Sequence, residues 1–237
     1  MNPSASHFAF AKDEIRKRLV LEGSRAFGVT YLYANLLGNE SGRTIYDGGA
    51  MIASAGKMIA VGPQFSFADW RVTTARVDLD RSRLNRAGTG SYKPIIDADE
   101  QGLIRVPFEW PAISHDVDLA PAAVAVDQTP WPLATDKEEE FAHAVTLGLF
   151  DYMRKSRSHG FVLSLSGGAD SAVCAVLVGY MVRFAVAELG LPTVLEKLHY
   201  IDRIRDAKTL PEIVRGLLSC VYQATAQQRR GHVARCA

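Results

Sequence analysis

This chain has few cysteines and a net charge close to zero. Its 237 residues include three cysteines and carry a formal net charge of +1. The cysteines are far apart and form no C-x-x-C pair, so we expect no disulfide framework, no metal site and a reducing, cytoplasmic location. We expect Cys174 to be a small buried helix residue, Cys220 to lie in an apolar helix and Cys236 to lie in an irregular tail. The near-neutral charge argues against a nucleic-acid partner.

Long apolar runs are absent as well. The longest uncharged apolar run covers residues 172–182 and ends at Arg183. It is shorter than a bilayer-spanning helix, so we interpret it as a buried helix and expect no membrane partner. Residues 1–4 have neither the basic residues nor the apolar core of a secretory leader.

Two common nucleotide-binding motifs are also missing, namely the lysine-containing phosphate loop and the G-x-G-x-x-G fingerprint. In their place the apolar run Phe161–Leu163 leads into a serine- and glycine-rich loop, and a long apolar helix follows. This order brings backbone N–H groups and a helix N-terminus to one point, which predicts an anion site. The candidate residues for binding a nucleotide phosphate are Ser164, Leu165, Ser166, Gly167, Gly168, Ala169, Asp170 and Ser171.

Each residue type in this loop has a physical use. Gly167 and Gly168 allow a sharp turn and a close approach of the backbone to a ligand. We expect Asp170 or Ser171 to cap the helix through a side-chain oxygen. The competing interpretation is an ordinary strand-to-helix turn, but Ser-Gly-Gly-x-Asp-Ser is more than such a turn requires.

Periodicity divides the chain into two parts. The first part ends near residue 85 and the second resumes near residue 136, after a segment with five prolines that we interpret as a linker. In the first part we predict a helix over 12–27 with one face at Ile15, Leu19, Glu22 and Ala26, a strand over 31–37, a hairpin of 45–53 and 58–61, and a strand over 71–79. In the second part we predict a helix with one face at Phe141, Val145, Leu149, Tyr152 and Met153, and a helix over 211–225 with Pro211 in its first turn.

The loop resembles the pyrophosphatase loop of the N-type ATP pyrophosphatases, a superfamily that includes GMP, asparagine and NAD synthetases and tRNA-thiolating enzymes. This resemblance implies that residues 164–171 bind ATP. Four segments together resemble the glutamine-dependent NAD synthetases: NPSASHFAFAK, YLYANLLGNESGRTIYDGGAMIASAGK, FADWRVTTARVDLD and FVLSLSGGADSA. The resemblance covers most of residues 2–225. Having both halves in one chain separates this family from the rest of the superfamily.

The resemblance implies an α/β fold: the C-terminal part of a nitrilase-like α-β-β-α sandwich, then the start of a Rossmann-like ATP pyrophosphatase domain. The implied units are a partial glutaminase domain over 1–106, a linker over 107–135 and a partial synthetase domain over 136–237, with an irregular tail from about 226. It implies a cytoplasmic ligase that amidates deamido-NAD to NAD with ATP, Mg²⁺ and ammonia from glutamine, and that assembles into homo-oligomers.

Carried over position by position, the resemblance places Ser6 and Lys12 in contact with substrate glutamine. A hydroxyl and a cation suit the zwitterionic end of an amino acid. The alternative for Lys12 is a solvated charge at a helix start. The catalytic glutamate, lysine and cysteine of the family lie upstream of the segment with which this chain opens, so no catalytic residue is assigned here.

Three functions stay open at this point. The first is a piece of a glutamine-dependent NAD synthetase, truncated at both ends and inactive by itself. The second is a short nucleotide-binding or interaction protein that retains the ATP loop. The third is another ATP-pyrophosphatase amidotransferase, which the nitrilase-like N-terminal half disfavours.

Overall fold

A computed structural model describes residues 1–40, 42–90, 106–109, 125–126 and 136–222. These residues form a mixed α/β structure. The strands are β1 (Asn2–Ser4), β2 (Thr30–Asn35), β3 (Leu37–Glu40), β4 (Thr44–Asp47), β5 (Ala50–Ser54), β6 (Lys57–Val61), β7 (Ala125–Val126), β8 (Phe161–Ser164) and β9 (Leu218–Val221). The helices are α1 (Lys12–Ala26), α2 (Leu79–Ala87), α3 (Lys137–Ser156), α4 (Ala169–Leu189), α5 (Leu191–Lys197) and α6 (Leu210–Leu217), with a short 3-10 turn at Asp202–Ile204.

The largest sheet has the strand order β1-β2-β5-β6-β7. Strands β2, β5 and β6 are antiparallel neighbours, whereas β1 and β7 pair in parallel at the two edges. Ala55 and Gly56 join β5 to β6 with φ angles of 51° and 76°, the backbone that a two-residue hairpin turn requires. The predicted hairpin is confirmed, although its first strand begins at Ala50.

Two further strand predictions need correction. The strand predicted over 31–37 ends at Asn35, and Leu37–Glu40 pairs with Thr44–Asp47 in a sheet of its own. The strand predicted over 71–79 is wrong, because residues 70–78 are irregular and α2 begins at Leu79. Thr73, Ala75 and Val77 are half-buried and Thr74, Arg76 and Asp78 are exposed, so the alternation does separate two faces. No described strand pairs with this segment, and alternation makes a strand only beside a partner strand.

Helices α1 and α3 lie where the sequence predicts them, but each presents a different face to the core. Helix α1 buries Arg16, Val20 and Ser24, while Ile15 and Leu19 are exposed. Helix α3 buries an adjacent stripe: His143, Ala144, Thr146, Leu147, Gly148, Phe150, Asp151 and Met153. Of the predicted α3 face, Met153 is buried, whereas Phe141 and Tyr152 are exposed.

Helix α4 is longer than the apolar run of residues 172–182 from which it was predicted. It has 21 residues, and its length and composition would allow it to cross a membrane. In the structure, 28% of its most apolar 18-residue stretch is buried. One such helix is weak evidence for a membrane span, since core helices of soluble proteins can have the same length and composition. Its C-terminal half is buried at Val178, Met181 and Val182, but Val173 and Val176 are exposed. The prediction of a buried helix therefore holds for the second half alone.

The end of the described chain also departs from the predicted pattern. Pro211 lies in the first turn of α6, as expected, but the helix stops at Leu217 and β9 follows, parallel to β8. The register pairs Leu163 with Cys220, so Cys220 is a strand residue. Cys220 and Cys174 are both exposed, which corrects the expectation of a buried Cys174; Cys236 and the tail lie outside the described residues.

One apolar core joins residues from both sides of the predicted linker. Phe65 and Phe67, which follow β6, are buried in the same cluster as Phe150, Met181 and Ile213 of the helices. A smaller cluster between α1 and the large sheet contains Val20, Tyr33, Met51 and Ala53. Within the predicted linker, the described strand β7 pairs with β6, so this segment is not wholly irregular.

Candidate functional site

The serine- and glycine-rich loop connects the end of β8 to the start of α4. Gly167 has a φ of +79°, a left-handed conformation that favours glycine. Gly168 is the N-cap of α4 in an extended conformation, and no side chain in the described structure caps the helix. The prediction that Asp170 or Ser171 caps it is wrong, because both lie inside the first turn.

Two serines close the loop on itself. The hydroxyls of Ser166 and Ser171 lie 3.2 Å apart, and the Ser166 N–H donates to Ser171 Oγ at 3.3 Å. The Gly168 N–H donates to Ser166 Oγ at 3.3 Å, and the Ser171 hydroxyl donates to the Gly168 carbonyl at 3.1 Å. The Leu165 N–H donates to the Val221 carbonyl at 2.9 Å, which fixes the start of the loop to β9.

The first turn of α4 faces solvent and presents both backbone N–H donors and a carboxylate. The amides of Ala169, Asp170 and Ser171 are first-turn donors without an intrahelical acceptor, and the helix dipole adds partial positive charge there. Asp170 places a carboxylate in the same turn. An anion at this point would meet favourable amides and one unfavourable carboxylate, unless a cation lay between the two negative groups.

The second candidate pair, Ser6 and Lys12, belongs to the connection between β1 and α1. Lys12 is half-buried, and its Nζ donates to the His7 carbonyl at 2.8 Å. The Ser6 N–H donates to Asn35 Oδ1 at 2.9 Å. Arg16 Nη2 donates to the Ser6 carbonyl at 2.8 Å and to Ser6 Oγ at 3.1 Å. Ser6 is thus held by Asn35 and Arg16, whereas the Lys12 ammonium has one hydrogen-bond partner among the described residues, the His7 carbonyl.

Aromatic rings connect this segment to helix α4. Phe8 packs edge-on against Phe65 with centroids 5.3 Å apart. Phe65 and His143 stack at 6.3 Å, and His143 stacks on Phe184 at 4.5 Å. The elements that carry the two candidate sites are therefore in contact through one row of rings.

Carboxylates also join residues that precede the predicted linker to residues that follow it. Asp151 of α3 accepts from the Asn39 N–H at 2.7 Å and pairs with Arg154 and Lys155. Burial alone would raise the pKa of Asp151, but the bonds from Lys155, Asn39 and Arg154 together lower it. A hydrogen bond from Lys197 holds the pKa of Asp69 below its usual value, and Arg154 adds to this effect.

His143 predicts a pH dependence of stability. Burial lowers its pKa below the ordinary 6.5, against the opposing effects of Glu139 and Glu188. The unfolded chain therefore binds a proton at a pH where the folded chain does not, so stability is full above about pH 6.5 and falls as the pH drops below that value. We expect His143→Phe to flatten this fall between about pH 7 and 5.5, as measured by urea unfolding.

The exposed His159 provides the matched control. His159→Phe should leave the wild-type pH profile in place. An unchanged profile in His143→Phe would contradict the prediction.

Pattern reasoning missed three residues that surround Ser6. Arg16 and Asp47 are buried and form an ion pair, and Asn35 bonds to both Ser6 and Asp47. The one sequence signal that could have identified them is Arg16 itself, which precedes the apolar Val20 by four residues and so lies on the same face of α1. Elsewhere in the described residues, no group of three histidine, cysteine or acidic side chains is arranged to hold a metal.

Comparison with known proteins adds independent evidence. The NAD synthase family model matches residues 141–214, which include the loop. A glutamine-dependent NAD(+) synthetase of Oryza sativa subsp. indica is 33% identical over 239 residues, covering 98% of this chain and 31% of the relative. A crystal structure of a glutamine-dependent NAD(+) synthetase from Cytophaga hutchinsonii aligns with a TM-score of 0.65 at 36% identity, covering 97% of this chain and 31% of that one.

The chain belongs to the glutamine-dependent NAD(+) synthetase family. The family expected from the four sequence segments is confirmed. A synthetase of this family from Saccharomyces cerevisiae is 33% identical over 231 residues, covering 94% of this chain and 31% of the relative. The chain thus spans about a third of the length of the synthetases it matches. The alternatives of a short interaction protein or of another amidotransferase are not favoured.

Proposed function

We propose that this chain is part of a glutamine-dependent NAD(+) synthetase. The proposed overall reaction consumes ATP, deamido-NAD, glutamine and water, and yields NAD, glutamate, AMP and pyrophosphate. The observation that carries the proposal is the loop of residues 164–171, which opens helix α4 in a chain that also contains the Ser6–Lys12 segment. The chain's part in this reaction is binding: it supplies contacts to ATP and to glutamine.

The loop fits a nucleotide phosphate on physical grounds. Ser166 and Ser171 hold it closed by hydrogen bonds, so little conformational freedom is lost when an anion binds. The first-turn amides of α4 supply donors and the dipole favours negative charge. Asp170 provides the hard oxygen ligand that Mg²⁺ prefers, and the cation would neutralise the repulsion between that carboxylate and the phosphates.

Ser6 and Lys12 are the proposed glutamine contacts. The Lys12 ammonium is bound to one carbonyl of the described residues, that of His7, at 2.8 Å. Exchanging this neutral acceptor for the α-carboxylate of glutamine would give a stronger, charge-assisted bond. The catalytic glutamate, lysine and cysteine are assigned to no residue of this chain.

The remaining features of the proposal follow the family resemblance. The sheet with α1 is assigned to a nitrilase-like glutaminase domain, and α3 to β9 are assigned to a Rossmann-like ATP pyrophosphatase domain. We also propose a cytoplasmic homo-oligomer without nucleic-acid or membrane partners. The low cysteine content supports the cytoplasmic location, and the near-neutral net charge supports the absence of a nucleic-acid partner.

Titration calorimetry with ATP and Mg²⁺ tests the nucleotide site. Wild type should bind saturably, and Asp170→Ala should bind at least about tenfold more weakly, which corresponds to a loss of about 1.4 kcal/mol. The physical reason is that the phosphates would lose the cation-mediated link to the loop.

Asp80 offers a matched control, because it is an exposed carboxylate in the first turn of α2, away from the loop. Asp80→Ala should bind ATP like wild type. Equal binding by wild type and Asp170→Ala, or no saturable binding by either, would argue against an ATP site at this loop.

A further inference from the structure

The backbone and side chain of Ser6 are held by two buried or half-buried residues of other elements. Its N–H donates to Asn35 Oδ1 and its carbonyl accepts from Asn35 Nδ2, each at 2.9 Å. The same carbonyl and the hydroxyl oxygen accept from Arg16 Nη2. All three polar groups of Ser6 thus have a fixed partner.

Asp47 in turn holds both of these residues. One carboxylate oxygen forms the ion pair with Arg16, and the other accepts from Asn35 Nδ2 at 2.7 Å and from the Gly49 N–H at 3.0 Å. Arg16 and Asp47 are 5% and 2% exposed. The Asp47 carbonyl accepts from the Phe65 N–H at 2.8 Å, so its backbone is anchored as well.

This arrangement determines whether the Ser6 hydroxyl donates or accepts a hydrogen bond when a ligand binds. A hydroxyl has one donor and two acceptor positions. Arg16 has no acceptor, so its guanidinium occupies an acceptor position of Ser6 Oγ and leaves the hydroxyl hydrogen free. Ser6 can therefore donate to an oxygen of a ligand, and a carboxylate is the acceptor that such a donor binds most strongly.

We infer that Asp47 is a positioning residue which, through Arg16 and Asn35, holds Ser6 with its hydroxyl as a donor toward the carboxylate of an amino acid ligand. The ligand part of this inference rests on the proposed glutamine contact of Ser6. Among the described residues, Asp47 makes no direct hydrogen bond to Ser6; its effect passes through Arg16 and Asn35, which bind both.

Residue-resolved hydrogen exchange on the full chain tests the inference. The Ser6 amide is compared with the Met51 amide of the buried strand β5, which reports the opening of the core. In Asp47→Asn the exchange rate of the Ser6 amide should rise about tenfold relative to that of Met51, because the carboxylate that holds both Arg16 and Asn35, the partner of this amide, is lost. A merely structural role would accelerate both amides together and leave their ratio unchanged, and that result would overturn the inference.

Two further variants keep the experiment decisive. Asn35→Ala removes the direct partner of the Ser6 amide, and it should raise the same ratio even if Asp47→Asn does not fold. Asp151→Asn is the matched control, since Asp151 is also a buried carboxylate that binds a backbone N–H but has no hydrogen bond to Ser6, Arg16 or Asn35 in the described structure. It should leave the ratio unchanged, and a rise equal to that of Asp47→Asn would overturn the inference.

Titration with L-glutamine separates this inference from the proposed function. Weaker binding by about tenfold in Asp47→Asn, with the exchange effect, supports both. If wild type binds no glutamine while the exchange ratio rises, the glutamine assignment fails and the positioning of Ser6 stands. If wild type binds glutamine and the ratio does not change, the positioning role is overturned and the proposed function is retained.

Discussion

Replacing Phe150 by alanine should destabilise the fold by about 3–5 kcal/mol, a large share of the 5–15 kcal/mol that a typical domain has. Phe150 is 2% exposed, and its ring packs edge-on against Phe67 with centroids 5.3 Å apart. The substitution removes a full aromatic side chain and leaves a cavity where α3 meets the segment after β6. Urea unfolding followed by circular dichroism would measure the loss.

Phe141 on the same helix is the control, because it is the same residue type at an exposed position. Phe141→Ala should change the free energy of unfolding by less than about 0.5 kcal/mol. Equal losses in the two variants would mean that α3 does not pack as described and that the face predicted from periodicity was the correct one.

Glu188→Ala should destabilise by about 3 kcal/mol, because it leaves buried donors without a partner. The Glu188 carboxylate accepts from the Ser66 hydroxyl and from the Phe67 N–H at 2.8 Å, and it lies 3.5 Å from Arg71. These partners all belong to the segment after β6, whereas Glu188 lies in the last turn of α4, the helix that begins after the serine- and glycine-rich loop. Thermal and urea unfolding should both show the effect as one cooperative transition.

Glu212 provides a comparison, since it also accepts a backbone N–H, that of Lys208 at 2.7 Å, but it is exposed. Glu212→Ala should be clearly less destabilising than Glu188→Ala, because water replaces the lost acceptor. Glu188→Gln should fall between, as the amide keeps one acceptor and loses the charge. A Glu188→Ala loss no larger than that of Glu212→Ala would contradict the burial of this contact.

Local chemistry carried the predictions that succeeded. The strand, glycines and long helix around residues 161–189 are contiguous in sequence, so their order alone predicts the strand-to-helix turn. The hairpin of β5 and β6 likewise depends on a short turn between two apolar runs. Elements of this kind require few contacts from distant residues, and pattern rules describe them well.

The predictions that failed needed a distant partner. Arg16 is buried because Asp47, thirty-one positions away, neutralises its charge; periodicity alone places an arginine outside. The face of α3 turns toward Phe65 and Phe67, which lie before the predicted linker. Residues 218–221 form a strand because β8 lies beside them, while residues 71–78 have no such neighbour among the described strands.

The sequence by itself determined the family, the glycine-serine loop at the start of α4 and the candidate residues Ser6 and Lys12, because each depends on a short ordered motif. The tertiary structure decided which helix faces are buried, how Asp47 and its partners hold Ser6, and how the two halves meet. Those features arise when charges and rings from separated segments become close neighbours and compensate one another's burial. Residue order along one segment does not contain that information.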